Sequence, residues 1–187
     1  MVALINPRIL KPKVMKELSS GFTENNPKGV QVQGFMEPTA YKKFLATIAK
    51  SKLKKSEVRD THSYFEADSP ALKFFSSREF LAFVKTVTGK KITKAGCSVR
   101  IFLKGCYTLL HDEAAAAKGL EFYFDLTSQW MQAWGGSTVY LTDNGEKLIL
   151  PPSPNNLIIA VAGKSYVKYV NHLAGEEGRL VVYGIFK

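Results

Sequence analysis

The feature that most constrains this chain is a change of hydrophobic period near residue 92. Before it, apolar residues recur at helical spacing. After it, short segments alternate apolar and polar with period 2, the repeat of a strand whose side chains point to opposite faces. Val99–Leu103, Leu120–Leu126, Ser137–Thr142, Glu146–Leu150, Leu157–Ala162, Ser165–Val170 and Arg179–Phe186 are the strand candidates. Asp143-Asn144-Gly145, Pro151 to Asn156, Gly163 and Gly175 to Gly178 mark turns between them. Helices first and many short strands afterwards predict an α+β fold, with the strands forming a sandwich or barrel.

The helical part has its own punctuation. Pro12 suits a first turn, and Val14, Met15 and Leu18 follow at helical spacing before Gly21. Tyr41, Phe44, Leu45 and Ile48 fit one helix face, with Lys42 and Lys43 opposite. Ser76-Ser77-Arg78-Glu79 reads as a capping box opening a helix that Gly89 ends. Residues 57–70 have no helical period and read as strand or loop. At 187 residues and 45% hydrophobic, the chain suits a single domain, 1–187, with a mainly helical flank over 1–91 and a strand core over 92–187.

No apolar run approaches the ~18 residues of a membrane span, and the start lacks a signal-peptide core, so the expectation is a soluble cytoplasmic protein with no membrane partner. Cys97 and Cys106 are too few for a disulfide framework and read as buried thiols. Charge is uneven: residues 1–104 carry 20 Lys/Arg against 8 Asp/Glu, and residues 105–187 carry 6 against 8. The basic half would attract nucleic acid, ribosomes or acidic proteins; the plainer reading is a solvated basic face.

His111-Asp112-Glu113 concentrates the chemistry. A His and a carboxylate two positions apart at a strand end point to one side of the backbone, where one metal ion could take both. Taken singly, His111 could equally be a hydrogen-bonded core histidine and Arg179 half of an ordinary salt bridge. His62 reads as a surface or loop residue, and Trp130 and Trp134 read as core or cleft-wall aromatics.

Three stretches, in this order, resemble the prolyl-hydroxylase-type 2-oxoglutarate/Fe(II)-dependent dioxygenase family. Lys104-Gly105-Cys106-Tyr107-Thr108-Leu109-Leu110-His111-Asp112-Glu113 is similar to its Gly-x-Tyr-Leu-x-x-His-x-Asp motif. Trp134-Gly135-Gly136 before a strand is similar to its Trp-Gly-Gly, and Arg179 to Phe186 to its Arg-x-Ser-x-x-Gly-Trp-Phe. The resemblance implies a double-stranded β-helix, a jelly-roll or cupin-like barrel, with flanking N-terminal helices. It implies Fe(II) held by His111 and Glu113, the latter one methylene longer than the family's Asp. It implies 2-oxoglutarate held through its distal carboxylate by Arg179, with Tyr107 and, less directly, Tyr123 as hydrogen-bonding residues.

The third metal ligand departs from the pattern. The family's distal His position falls on Lys168, or on Val167 by an ungapped count, and His172 reaches the site only if the strand is shifted. Two functions follow from the resemblance: an oxygenase hydroxylating a protein (prolyl) residue, ribosomal proteins included, or a small molecule; or an inactive relative in which a Lys168–Glu113 pair neutralises the cavity and the cleft binds a peptide or partner. A basic RNA- or ribosome-associated module is the third class.

Overall fold

A computed structural model describes residues 4–25, 28–59, 61–111, 119–142, 144–162 and 166–187, with the side chains of Leu110, His111, Ala162, Tyr166 and Val167 outside the described set. Three helices come first: α1 (Pro12–Glu24), α2 (Pro38–Ile48) and α3 (Arg78–Thr88). Proline opens α1 and α2, where a missing N–H costs nothing. The Glu37 carboxylate caps α2 by accepting from Ala40 N at 2.9 Å. α1 continues past Gly21 because Phe22, 3% exposed, anchors its last turn in the core. The cap of α3 is Ser77, whose Oγ accepts from Phe80 N at 3.2 Å, one residue later than the capping-box reading placed it. Ser76 Oγ instead donates to the Ala95 carbonyl at 3.0 Å. Gly89, with φ +66°, closes α3.

Eleven strands follow or interleave: β1 (Gly29–Gln33), β2 (Lys54–Val58), β3 (His62–Ala67), β4 (Ala95–Phe102), β5 (Tyr107–His111), β6 (Gly119–Asp125), β7 (Thr138–Thr142), β8 (Lys147–Leu150), β9 (Asn156–Ala162), β10 (Tyr166–Val170) and β11 (Arg179–Phe186). They join as one antiparallel sheet in the order β1-β9-β6-β11-β4-β3-β5-β10-β7-β8, with β2 on β3. The sheet curls on itself into the jelly-roll barrel expected. The expected boundary at residue 91 is not where strands begin, because β1 joins β9 and the β2–β3 hairpin joins β4 and β5. Their short alternations lie between helices, where a helical window averages them away.

Two cores result. One lies between the helices and the outer face of the larger half-sheet, built on Phe35, Phe75, Phe80, Phe122 and Phe124. The Phe75 and Phe122 rings stack 4.9 Å apart and Phe75 meets Phe80 edge-on at 5.0 Å. The second fills the barrel and is far more polar: Tyr64, Phe102, Tyr123, Tyr140, Val181 and Tyr183 enclose buried charges. β6 separates the two. Its alternation reads as a half-buried strand with a polar outer face, yet every residue from Leu120 to Thr127 is buried. The phenylalanines face the helices, and Glu121, Tyr123 and Asp125 face the barrel interior. Both cysteines are free, and burial pushes the Cys97 thiol up to about 11, which keeps it protonated and unreactive at neutral pH.

Candidate functional site

The antiparallel ladder between β5 and β10 sets His111 opposite Lys168. That register selects Lys168 rather than Val167 as the cross-strand partner of the first candidate ligand. The Lys168 side chain enters the barrel and is 6% exposed. Its ammonium forms a buried ion pair with Glu121 Oε2 and donates to Tyr183 Oη at 3.0 Å. Tyr183 Oη in turn donates to Glu121 Oε2 at 3.1 Å, and Tyr140 Oη donates to Glu121 Oε1 at 2.6 Å. Both carboxylate oxygens of Glu121 are therefore engaged. The ammonium also lies 4.4 Å from the Tyr183 ring centre, and the Arg100 guanidinium lies 4.0 Å from that ring.

Electrostatics keep this network in one state near neutral pH. Burial acts to lower the Lys168 pKa, but the Glu121 carboxylate and the Tyr183 hydroxyl outweigh it and hold the ammonium above its usual range. Burial, reinforced by the Glu121 charge, holds Tyr140 well above the usual tyrosine range. Burial likewise raises Tyr183, with Lys168 opposing. A lysine that stays protonated has donors only and no lone pair for a metal.

Deeper in the barrel, Arg179 opens β11 and is 1% exposed. Its Nε donates to Asp125 Oδ2 at 3.1 Å, and its Nη1 donates to the Gly136 carbonyl and to Thr138 Oγ1, each at 2.8 Å. Asp125 Oδ1 accepts from Thr127 N at 3.0 Å. Burial lifts the Asp125 carboxyl above its usual range, and Arg179 and the Thr127 amide offset part of that. Arg179 Nη2 is buried without a hydrogen-bond partner among the described residues. The Trp134-Gly135-Gly136 turn aims the Gly136 carbonyl at Arg179. Gly136 has φ +75°, and a Cβ there would lie 2.7 Å from Leu173 Cδ1, so only glycine allows this approach. Trp130 Nε1 holds the turn by donating to the Gly135 carbonyl at 2.7 Å.

Between the two ion pairs lies a cavity of about 10 Å³, lined among others by Thr108, Tyr123, Thr138, Lys168 and Arg179. That is room for about one water. Tyr123 does reach this cavity. Tyr107 does not: the strand period turns Thr108 inward, where its Oγ1 accepts from Val170 N at 2.8 Å, and turns Tyr107 outward. Tyr107 instead lines a groove of about 850 Å³ on the outer face of β5, β10 and β7, with Leu109, Leu141, Tyr169 and His172. His172 is exposed beyond the end of β10 and does not line the inner cavity. Glu113 lies outside the described residues, as does the His111 side chain. The Lys168–Glu113 pairing expected for an inactive relative falls outside the described residues; among the described residues the carboxylate paired with Lys168 is Glu121. Glu121 and Asp125, absent from the expected site, supply the buried carboxylates; the signal was their alternation with Phe122 and Phe124, read as a solvent face.

Residues 66–186 match the family described as oxoglutarate and iron-dependent oxygenase degradation C-term. The chain belongs to this family. No curated protein sequence matches it closely. Solved structures share its fold at low identity. A prolyl-4-hydroxylase from Pseudomonas putida superimposes with TM-score 0.73 at 13% identity, over 92% of this chain and 98% of that one. A prolyl hydroxylase from Trichoplax adhaerens, in complex with a hypoxia inducible factor oxygen degradation domain peptide, gives 0.76 at 14%, over 93% and 89%. The epimerase SnoN in complex with Fe3+, alpha ketoglutarate and nogalamycin RO gives 0.69 at 13%, over 94% and 84%. These likenesses establish an oxygenase-type double-stranded β-helix. No helix among the described residues is long and apolar enough to cross a membrane.

Family and neighbours imply iron and 2-oxoglutarate; the residues expected to hold the metal, Glu113 and the side chain of His111, lie outside the described residues. No three His, Cys, Asp or Glu side chains among the described residues are grouped to hold a metal ion. The position across from His111 carries an ammonium paired with Glu121, both of whose carboxylate oxygens are engaged. A one-water cavity beside Arg179 does not admit a five-carbon dicarboxylate, and Asp125 already occupies one edge of the guanidinium.

Proposed function

We propose that this member of the oxygenase family binds a protein partner through its barrel rather than oxidising a substrate. The observation that carries the reading is the Lys168–Glu121 ion pair, closed by Tyr183 and Tyr140, at the position facing His111. It sets a positive charge across the ladder from a candidate metal ligand, where a cation has no lone pair to offer, and neutralises that charge internally. The outer groove by Tyr107, Leu109, Leu141 and Tyr169 is an apolar concavity of about 850 Å³ and suits an extended peptide segment. A related fold that carries a bound peptide, the Trichoplax prolyl hydroxylase, supports a peptide as the class of partner.

The deciding experiment is metal analysis and 2-oxoglutarate binding on the purified chain, beside Lys168→His. Wild type is expected to retain no stoichiometric iron after loading with Fe(II) and to form no succinate from 2-oxoglutarate. Stoichiometric iron together with succinate formation by wild type would sink the proposal.

One observation favours a second reading, a 2-oxoglutarate/Fe(II) oxygenase acting on a prolyl residue or small molecule. Arg179 keeps one buried donor, Nη2, unpartnered beside the cavity, as a carboxylate-binding residue would. Saturable 2-oxoglutarate binding that Arg179→Lys weakens at least tenfold, with iron present, would establish that reading.

A further inference from the structure

A sheet that curls without closing has edges, and an unguarded edge is a template for another strand. The described sheet has three, and they are treated differently. β1 lies against α1. β2 pairs only with β3 and bears exposed Lys54, Lys55 and Glu57, charges that disfavour strand addition. β8, the remaining edge, is hydrogen-bonded to β7 alone among the described strands. Its residues Leu148 and Ile149 are 36% and 57% exposed. No proline interrupts it before Pro151.

We infer that β8 is a homodimerisation edge, pairing antiparallel with β8 of a second copy about a two-fold axis. Several features favour a second copy over another protein's strand. The edge is self-complementary: a two-fold through Leu148 sets Leu148 against its own counterpart and Lys147 of each copy against Ile149 of the other. No like charges then face each other, a requirement for cross-strand neighbours. A protein of net charge +10 repels itself, so self-association needs a face away from the lysines. β5 to β11 come from the half of the chain with 6 Lys/Arg against 8 Asp/Glu, while α1, α2, β2 and α3 come from the half with 20 against 8. Two-fold pairing is also the commonest closed arrangement, because one patch satisfies both partners and leaves no edge to propagate.

The dimer extends the minor half-sheet across two molecules. Lys147 and Leu141 border the outer groove, so pairing at β8 brings the two grooves side by side on one continuous face. The pairing does not depend on what the barrel interior binds. Four residues a side form a small contact, so the association is expected to be weak and concentration-dependent.

Sedimentation velocity of the full chain over roughly 1 μM to 1 mM tests it, with hydrogen exchange of the β8 amides measured at both ends of the range. Wild type should pass from monomer to dimer, and β8 amides should gain protection with concentration. Ile149→Lys, at an exposed site that tolerates it, should weaken dimerisation at least tenfold while leaving the circular dichroism unchanged. Leu109→Lys, in the groove away from the edge, should leave the dimerisation constant within about twofold. A wild-type chain that stays monomeric throughout overturns the inference. So does a dimer that Ile149→Lys leaves intact, or β8 protection that arises only with a different added protein.

Discussion

Lys168 stands across the β5–β10 ladder from His111, and its ammonium is bound to Glu121, 47 residues away in sequence and inside the same barrel. This buried ion pair inside the barrel has energetic consequences that can be measured.

Removing one partner leaves the other charged, buried and unpaired, which typically costs about 3–5 kcal/mol. Lys168→Met and Glu121→Gln are each expected to lower the unfolding free energy, read from urea titration, by that order. The double variant should recover part of the loss, because it leaves neither charge buried without its partner. A Lys168→Met variant within about 1 kcal/mol of wild type would show that the pair does not hold the barrel together.

Alkaline pH probes the same lysine. Its folded pKa is raised, with burial opposed and outweighed by Glu121 and Tyr183. A group raised in the folded state contributes stability that is fully present below its unfolded pKa and lost as pH rises through the folded one. Melting temperature should therefore fall above about pH 10.5 in wild type. The fall should be shallower in the Lys168→Met, Glu121→Gln double variant, measured by thermal circular dichroism between pH 9 and 11.5.

Arg179 is expected to tolerate no substitution by lysine. Its Nε and Nη1 serve Asp125, Gly136 and Thr138 at once, a planar fork that a single ammonium cannot reproduce. Arg179→Lys should destabilise by about 2–4 kcal/mol, and Arg179→Ala by more, since Asp125 would be left buried and unpaired. Equal midpoints for wild type and Arg179→Lys in chemical denaturation would contradict this.

Gly136→Ala tests the turn that serves Arg179. The added methyl meets Leu173 in a backbone conformation with φ +75° that alanine adopts poorly. A loss of about 2 kcal/mol or more is expected by denaturant titration, whereas Gly145→Ala, whose Cβ would meet nothing, should lose about 1 kcal/mol from its φ of +84° alone.

Much of the barrel is legible along the chain, because strand alternation is local. The period-2 segments after residue 92 correspond to β4 and β6–β11, and Gly89 and the prolines mark helix ends through backbone sterics alone. Arg179 at the start of the last strand and the glycine pair after Trp134 stand out for a different reason, the resemblance of their short motifs to those of the family. What adjacent residues cannot carry is enclosure. Glu121, Tyr123 and Asp125 have the pattern of a solvent face, and they are buried because side chains from other strands, such as Tyr140, Lys168 and Arg179, close over them. The sequence by itself determined which residues share a face of β6. Only the tertiary structure decided that both faces are interior, that Tyr107 looks outward while Thr108 looks in, and that Lys168 meets Glu121. The reason is physical: alternation is set by the backbone of one strand, whereas inside and outside exist only after the sheet has curled.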